Sequence, residues 1–232
     1  MLKDIEVTLY DIFGYLLPGL TSLAGIAILF WAICYPGTPL RVPETLSANW
    51  WAVVIPAYIV GHLTQAVANM VEKHLPQIED RVLSERWAGH LPGALVSAAR
   101  SKVGRIAGMP PEQIDSDLLY RICDEVVLQS GVTADRDLYI YREGFYRGLA
   151  VSFLLLLVSL VVRALAPGAS LSISGSLHPV TKGALSFGAL LSLIGIVLCY
   201  VRYRRFGGYR ATQAVLGFLV IEGKQAEKRA DK

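Results

Sequence analysis

The sequence has few cysteines, and it carries none of the short motifs that mark common enzyme sites. Its three cysteines are far apart in the chain, so they supply neither a disulfide framework nor a CxxC metal signature. No GxSxG, Walker A or GxGxxG sequence occurs, and no pair of acids lies in an apolar stretch where it would hold a metal for phosphotransfer. These absences disfavour an enzyme and give no reason to expect a cofactor.

Charge is also scarce along four long stretches of the chain. Hydrophobic residues make up 53% of the sequence and charged residues 18%, with a mean hydropathy of +0.46. The apolar stretches cover residues 14–35, 49–68, 148–166 and 183–200. Each is about 20 residues long, which is enough to cross the hydrocarbon core of a bilayer as an α-helix. The sequence therefore predicts an all-α membrane protein with four transmembrane helices.

The placement of the basic residues predicts an orientation. Residues 36–48 contain one cation, Arg41, and residues 167–181 contain none. Basic residues collect instead near the other ends of the four stretches, at Lys73, Arg142, Arg147, Arg202, Arg204, Arg205 and Arg210. The positive-inside rule then places both termini and the central block in the cytoplasm of a bacterium, with the four spans in its inner membrane. The first stretch is too long for a signal peptide and is expected to remain as an anchor.

The short loops divide the chain into two transmembrane hairpins with a helical cytoplasmic domain inserted between them. The expected segments are an N-terminal hairpin at 1–70, a cytoplasmic domain at 71–147, a C-terminal hairpin at 148–200 and a basic cytoplasmic tail at 201–232. Hydrophobic periodicity predicts helices over residues 71–90, 94–107 and 111–129. A further helix is expected to run from Thr133 or Asp135 into the third span without a strong breaker.

A polar stripe runs along the second span. Tyr58, His62, Gln65 and Asn69 are spaced by four, three and four positions, so they share one face of a helix. Polar groups facing lipid are costly, which predicts that this face meets another helix or water. Three interpretations are open: hydrogen-bonding contacts between helices, the lining of a pore, or a catalytic or proton-relaying His62.

The start of the first span suggests a second candidate site. Asp11 precedes Pro18 and Gly19 and is flanked by two tyrosines. Anchoring at the membrane interface followed by a helix kink accounts for this segment. Alternatively, Asp11 lies at a cytoplasmic pore mouth or pairs with Arg147 or Arg202, which would couple the cytoplasmic domain to the spans.

Basic side chains form a third candidate site, for an anionic ligand or for lipid. Its members are Arg100, Lys102 and Arg105 on the amphipathic helix and Arg202, Arg204, Arg205 and Arg210 after the fourth span. Arginines near a membrane commonly contact anionic lipid, and guanidinium groups also bind phosphate in a bidentate manner. The apolar segment Ala211 to Ile221 is too short to span, so it is expected to lie on the membrane or on the domain. His74 and His90 lack the spacing of metal ligands.

The segments DIFGYLLPG (11–19) and YREGFYR (141–147) look like elements of small bacterial inner-membrane proteins. The architecture resembles the membrane effectors of bacterial anti-phage systems, such as CBASS-like, Hailong-like and type III CRISPR-associated effectors. In those systems a nucleotide or oligonucleotide signal controls a membrane-disrupting oligomer. The resemblance implies a homo-oligomeric channel or pore-type effector, controlled by its cytoplasmic domain in antiviral defence. The alternatives are a non-conducting scaffold that recruits a cytoplasmic protein partner, or a small transporter or membrane enzyme.

Overall fold

The computed structural model describes residues 2–35, 38, 40–41, 49–73, 91–131, 134–166, 171–172 and 182–230. Within those ranges, the side chains of residues 2–11, 40–41, 73, 134–136, 171–172, 182 and 222–230 are not described. Over this part of the chain the fold is helical, with six α-helices and one pair of two-residue strands. The helices are α1 (Leu2–Cys34), α2 (Trp51–Lys73), α3 (Gly93–Ala107), α4 (Ser116–Gln129), α5 (Ala134–Leu165) and α6 (Lys182–Ala230).

Four of these helices are long and apolar enough to cross a membrane, as expected for a multi-pass membrane protein. The apolar segments are Ile12–Cys34 in α1, Trp51–Glu72 in α2, Asp137–Leu165 in α5 and Gly183–Ile221 in α6. The chain divides into two compact units. The first contains Met1–Val71 and Gly144–Tyr203, and the second contains Glu72–Glu143 and Arg204–Lys232. Helices α5 and α6 therefore contribute residues to both units.

Backbone-to-backbone packing of α1 against α2 depends on two glycines. A Cβ atom added at Gly19 would overlap the carbonyl oxygen of Ala57, and one added at Gly61 would overlap the carbonyl oxygen of Tyr15. In hydrocarbon, lipid tails are as apolar as leucine side chains, so helices associate mainly through van der Waals packing and hydrogen bonds. Small residues at the contact allow the close approach that this packing needs.

A buried arginine stabilises the loop that follows α1. Arg163, near the end of α5, is only 1% exposed, and its Nη2 donates a hydrogen bond of 2.6 Å to the carbonyl oxygen of Thr38. A basic side chain near the end of a span often reaches the membrane interface, but here the Thr38 carbonyl supplies a hydrogen-bond acceptor. Strand β1 (Leu40–Arg41) follows α1 and pairs in parallel with β2 (Leu171–Ser172), which follows α5.

The second unit has a core formed by α3, α4 and the second half of α6. Its buried residues are Ala99, Val103, Ile114, Leu119, Cys123, Val127, Ala211, Val215 and Phe218. Residues 211–218, which the sequence-based division left in a basic tail, thus pack against α3 and α4. The spacing of Ala211, Val215 and Phe218 by four and three positions places them on one face of α6.

The start of α4 differs from the sequence prediction. Helix α4 begins at Ser116 rather than at Pro111, because the Asp115 carboxylate accepts a hydrogen bond of 2.7 Å from the Leu118 amide. Pro111–Gln113 form a separate 3₁₀ turn. Of the helix predicted over 71–90, α2 covers the residues up to 73, and residues 74–90 lie outside the described part.

Candidate functional site

The polar stripe of α2 divides into two parts in the structure. Gln65 is half-buried, while Tyr58, His62 and Asn69 are exposed in the single chain, Tyr58 by 37%. All four residues still share one face, as helical spacing requires. Their contacts differ, and the contacts determine what each of them can do.

Gln65 connects α2 to two other helices. Its Nε2 donates to the carbonyl oxygen of Gly144 on α5 at 2.9 Å and to that of Gly14 on α1 at 3.5 Å. In a regular helix the Gly14 carbonyl would accept from the residue four positions later, but that residue is Pro18, which has no N–H. Gln65 therefore supplies a donor to a carbonyl that the proline leaves without its helical partner.

The space for the Gln65 amide exists because residue 148 is a glycine. A Cβ atom at Gly148 would overlap the Gln65 side chain. The Oε1 atom of Gln65 is buried and has no hydrogen-bond partner among the described residues. Gln65 thus lies in a tight contact among α1, α2 and α5, which corresponds to the helix-contact interpretation of the stripe at this position.

A cluster of three hydroxyl groups lies in the same helix contact. Ser22 Oγ is 3.0 Å from Thr64 Oγ1 and donates to Ser152 Oγ at 3.0 Å, and Ser152 also lies 2.9 Å from the Pro18 carbonyl oxygen. All three side chains are buried. Sequence reasoning did not identify Thr64 or Ser152 as site residues. The sequence does contain a relevant spacing: Thr64 follows Gly61 by three positions and Ser152 follows Gly148 by four. Each hydroxyl therefore lies one helical turn from a glycine, on the same face of its helix.

His62 belongs to an aromatic cluster at the exposed edge of α2. Its ring stacks on Tyr15 of α1 with centroids 3.8 Å apart and planes 19° apart. The Tyr58 ring meets it edge-on, with centroids 4.7 Å apart. Tyr15 therefore covers one face of the imidazole, while the His62 side chain remains exposed in the single chain. Tyr58 and His62, called the aromatic edge below, are the exposed polar groups in the middle of this span.

Arg147 of α5 meets the stripe at Asn69. Its Nη2 donates a hydrogen bond to Asn69 Oδ1. The backbone of Asp11 belongs to α1, but its side chain lies outside the described part, so its pairing with Arg147 or Arg202 stays a prediction. The structure therefore joins two predicted site residues, Asn69 and Arg147, that the sequence had placed in different candidate sites.

The predicted anionic-ligand residues have separate roles in the structure. In α3, Arg100 is half-buried and donates to Ser116 Oγ at 3.4 Å, Lys102 is half-buried and Arg105 is exposed. In the second half of α6, Arg205 donates to the Tyr209 hydroxyl at 2.8 Å and lies over its ring. Arg202 is exposed and Arg204 is half-buried.

Arg210, the last member of that set, is used within the second unit. It forms an ion pair of 3.3 Å with Glu143, a carboxylate that is only 4% exposed. Its guanidinium group also lies over the ring of Tyr120 in α4, 5.7 Å from the centroid. Arg210 therefore connects α4, α5 and α6, and this structural role accounts for its position.

The described residues contain no group of three histidine, cysteine or acidic side chains arranged to hold a metal ion. His74 and His90 lie outside the described part. Comparison of the chain with protein-family models, with curated proteins and with solved structures gives no match. A functional assignment therefore depends on the geometry of the two units.

Proposed function

We propose that the chain forms a homo-oligomeric channel in a bacterial inner membrane, with the aromatic edge facing the assembly axis. The observation that carries the proposal is the exposure of His62 in the middle of an apolar span. Hydrocarbon offers an imidazole no hydrogen-bond partner, so a lipid-facing position is unfavourable. Water in a pore, or a neighbouring copy of the chain, removes that cost.

The contacts inside the first unit support a topology of two hairpins. Gly19 meets Ala57 and Tyr15 meets Gly61, so residues earlier in α1 meet residues later in α2, as in an antiparallel pair. The pairing of β1 with β2 supports a common side for the two loops. Because those loops have few cations and the opposite helix ends have many, the loops face the periplasm and the second unit faces the cytoplasm.

Control by the second unit is the next part of the proposal. Helices α5 and α6 each run through both units without a break, so a change in the second unit acts directly on two spans. An anionic nucleotide or oligonucleotide bound by Arg100, Lys102 and Arg105 is the ligand class that fits the effector-like architecture. Such a ligand changes the channel only if it binds the open and closed states with different affinities.

Reconstitution tests the channel directly. The subunit number is measured in nanodiscs and ion flux in liposomes, for the wild type, for His62→Leu and for the control Val67→Leu. Val67 is on the same helix, is 48% exposed and lies about 140° around the helix axis from His62. A ring of subunits is expected, with flux altered in His62→Leu and unchanged in Val67→Leu. A monomer without flux would contradict the proposal.

The ligand is tested separately by thermal unfolding of the detergent-solubilised protein. Short oligonucleotides and cyclic nucleotides are expected to raise the unfolding temperature if they bind the folded state. The increase should be lost in an Arg100→Gln, Lys102→Gln and Arg105→Gln triple variant and retained in Arg121→Gln, which changes an exposed arginine of α4. If none of the nucleotides tested raises the unfolding temperature, the proposal of nucleotide control is wrong, while the channel proposal is unaffected.

A non-conducting membrane scaffold that recruits a cytoplasmic protein partner is the second candidate. The observation that favours it is the use of Gln65, Asn69 and the three hydroxyl groups in contacts between helices of one subunit. On that account the whole stripe stabilises the fold. The scaffold predicts no flux in any variant, so the liposome measurement separates the two candidates.

A further inference from the structure

His62 is the residue of the four apolar stretches that can exchange a proton near neutral pH. These stretches contain no carboxylate and no lysine, and their other basic residue is Arg163. A guanidinium group keeps its proton throughout the physiological pH range, whereas an imidazole ordinarily gains and loses one between about pH 5 and 8. His62 lies eleven positions after Trp51 and ten before Glu72, the two ends of the apolar segment of α2. A proton-exchanging group therefore lies in the middle of this segment.

The ring of His62 is held by aromatic contacts rather than by hydrogen bonds. It stacks on Tyr15 of α1 with centroids 3.8 Å apart, and the Tyr58 ring meets it at an interplanar angle of 82°. Stacking covers a face of the ring, whereas the two nitrogens donate and accept in the plane of the ring. Within the part of the chain that is described, no hydrogen bond to either nitrogen occurs, and the side chain is exposed. The aromatic contacts therefore orient the imidazole without engaging its nitrogens.

The surroundings of His62 suit a proton better than a larger ion. Selective passage of potassium or chloride requires several oxygen ligands or charged groups that replace the hydration shell of the ion. The described ring contacts of His62 are two aromatic side chains. A proton needs no such shell, because it passes by exchange between water and a titratable group. This position therefore favours proton exchange over the passage of an intact hydrated ion.

We propose that the conduction path carries protons and that His62 is the residue that makes it selective for them. The inference rests on the proposed channel and names the ion that passes. The neutral ring accepts a proton from water at one nitrogen and becomes imidazolium, and it then releases the proton of its other nitrogen to water on the opposite side. A turn of the ring about its Cβ–Cγ bond and a further exchange with water restore the first tautomer. In an oligomer, each subunit contributes one such ring around the axis.

Other titratable and charged groups lie near His62. The two rings in contact with it carry phenol groups. Arg147 of α5 is bonded to Asn69, two turns from His62 on the same face of α2. Asp11 precedes Tyr15 by four positions, so it lies one turn away on the same face of α1, with its side chain outside the described part. Asp11 is therefore the alternative proton acceptor, and replacing Asp11 and His62 separately distinguishes the two.

The test is the reversal potential of the full-length protein in planar bilayers, with equal potassium chloride on both sides and a tenfold proton gradient. The wild type is expected to reverse near the proton equilibrium potential, about 59 mV for this gradient. His62→Gln cannot exchange a proton, so its ratio of proton to potassium permeability should fall roughly 100-fold, the lower end of the effect of one positioned proton-transfer group. Val67→Leu changes an exposed apolar residue of α2 and should keep the wild-type ratio.

Free imidazole distinguishes proton exchange from a structural role of the ring. His62→Ala removes the ring and is expected to lose the selectivity for protons. Imidazole added on both sides should restore part of this selectivity, because it supplies the same exchanging group. A ratio that does not respond to imidazole would assign His62 a structural role instead.

The outcomes separate this inference from the channel proposal. A wild-type current that reverses at zero, or a permeability ratio in His62→Gln equal to that of the wild type, overturns proton selectivity through His62 and leaves the channel standing. In the second case, a lowered ratio in Asp11→Asn assigns the exchange to Asp11. A correctly assembled protein that passes no current overturns both. Elution of each variant as the wild-type oligomer in size-exclusion chromatography shows that a changed ratio reflects selectivity rather than misassembly.

Discussion

The side-chain amide of Gln65 donates a hydrogen bond to the carbonyl oxygen of Gly14, across the contact between α2 and α1. Pro18 creates the need for this donor, because it has no N–H and so cannot donate the helical hydrogen bond that the Gly14 carbonyl would otherwise accept. The same amide reaches Gly144 on α5. A proline in one span is therefore compensated by a glutamine in the next, and the pair fixes the helix that carries His62.

Replacing Gln65 is expected to destabilise the first unit. Gln65→Leu removes the bonds to Gly14 and Gly144 and leaves the Gly14 carbonyl without a donor, at a cost of about 2 kcal/mol in the free energy of unfolding. Ala66→Leu changes the next residue, which is exposed, and should have little effect. Thermal unfolding in detergent measures both. Equal stability of the two variants would mean that these hydrogen bonds contribute little.

Two glycines of α1 provide a matched pair for testing the α1 contact with α2. Gly19→Ala places a methyl group against the carbonyl of Ala57, so overpacking should cost about 1–3 kcal/mol or more. Gly14→Ala places the same group where no atom lies within 4 Å and should be tolerated. Unfolding temperatures and the yield of folded protein give the comparison. A stable Gly19→Ala variant would contradict the close approach of these helices.

The ion pair between Glu143 and Arg210 is expected to stabilise the second unit. Glu143→Gln leaves Arg210 without its buried carboxylate, and Arg210→Met leaves Glu143 without its cation. Each single change should cost about 3 kcal/mol, because it leaves a partly buried charge uncompensated. The double variant should cost less than the sum of the two. Chemical unfolding of all four proteins completes the double-mutant cycle, and strict additivity would show that the two groups do not interact.

The Cys123 thiol should make stability depend on alkaline pH. Burial, with a smaller contribution from Asp124, raises the pKa of this thiol to about 12. The unfolded chain ionises first, so this contribution to folding is fully present below pH of about 8.5 and is lost as pH rises toward 12.

Raising the pH from 8 to 10 should therefore lower the free energy of unfolding by about 1–2 kcal/mol more in the wild type than in Cys123→Ala. The control is Cys34→Ala, which removes an exposed thiol outside the core of the second unit. The change in the free energy of unfolding between pH 8 and pH 10 is measured for each protein. Subtracting the change in the variant from the change in the wild type cancels the tyrosine contribution that both proteins share. Parallel pH profiles of the wild type and Cys123→Ala would contradict the burial of this thiol.

Hydropathy predicted the four long apolar helices because the cost of exposing backbone groups to lipid leaves few alternatives to a helix. The helix predicted to run from Thr133 or Asp135 into the third apolar stretch is confirmed as α5, since no strong breaker interrupts residues 134–165. The continuation of α6 through Gly207 and Gly208 was not predicted, because glycines in a basic segment are typical of a helix end. Both glycines are buried in the helix, which is a consequence of tertiary packing.

The candidate site was predictable in position but not in detail. Helical spacing alone placed Tyr58, His62, Gln65 and Asn69 on one face. It did not indicate that Gln65 compensates for Pro18 or that Asn69 meets Arg147, since both contacts depend on which helices are neighbours. The burial of Arg163 was missed for the same reason, because its acceptor is a loop carbonyl far away in the sequence.

Cysteine accessibility at position 62 tests most directly whether the aromatic edge lines a conduction path. His62→Cys and the control Val67→Cys are made in a Cys34→Ser background, and a water-soluble charged methanethiosulfonate is added during current recording in planar bilayers. The current of His62→Cys should fall on modification, while that of Val67→Cys should stay constant. An absence of current in both proteins, or an unchanged current in His62→Cys after confirmed exposure to the reagent, would contradict the account.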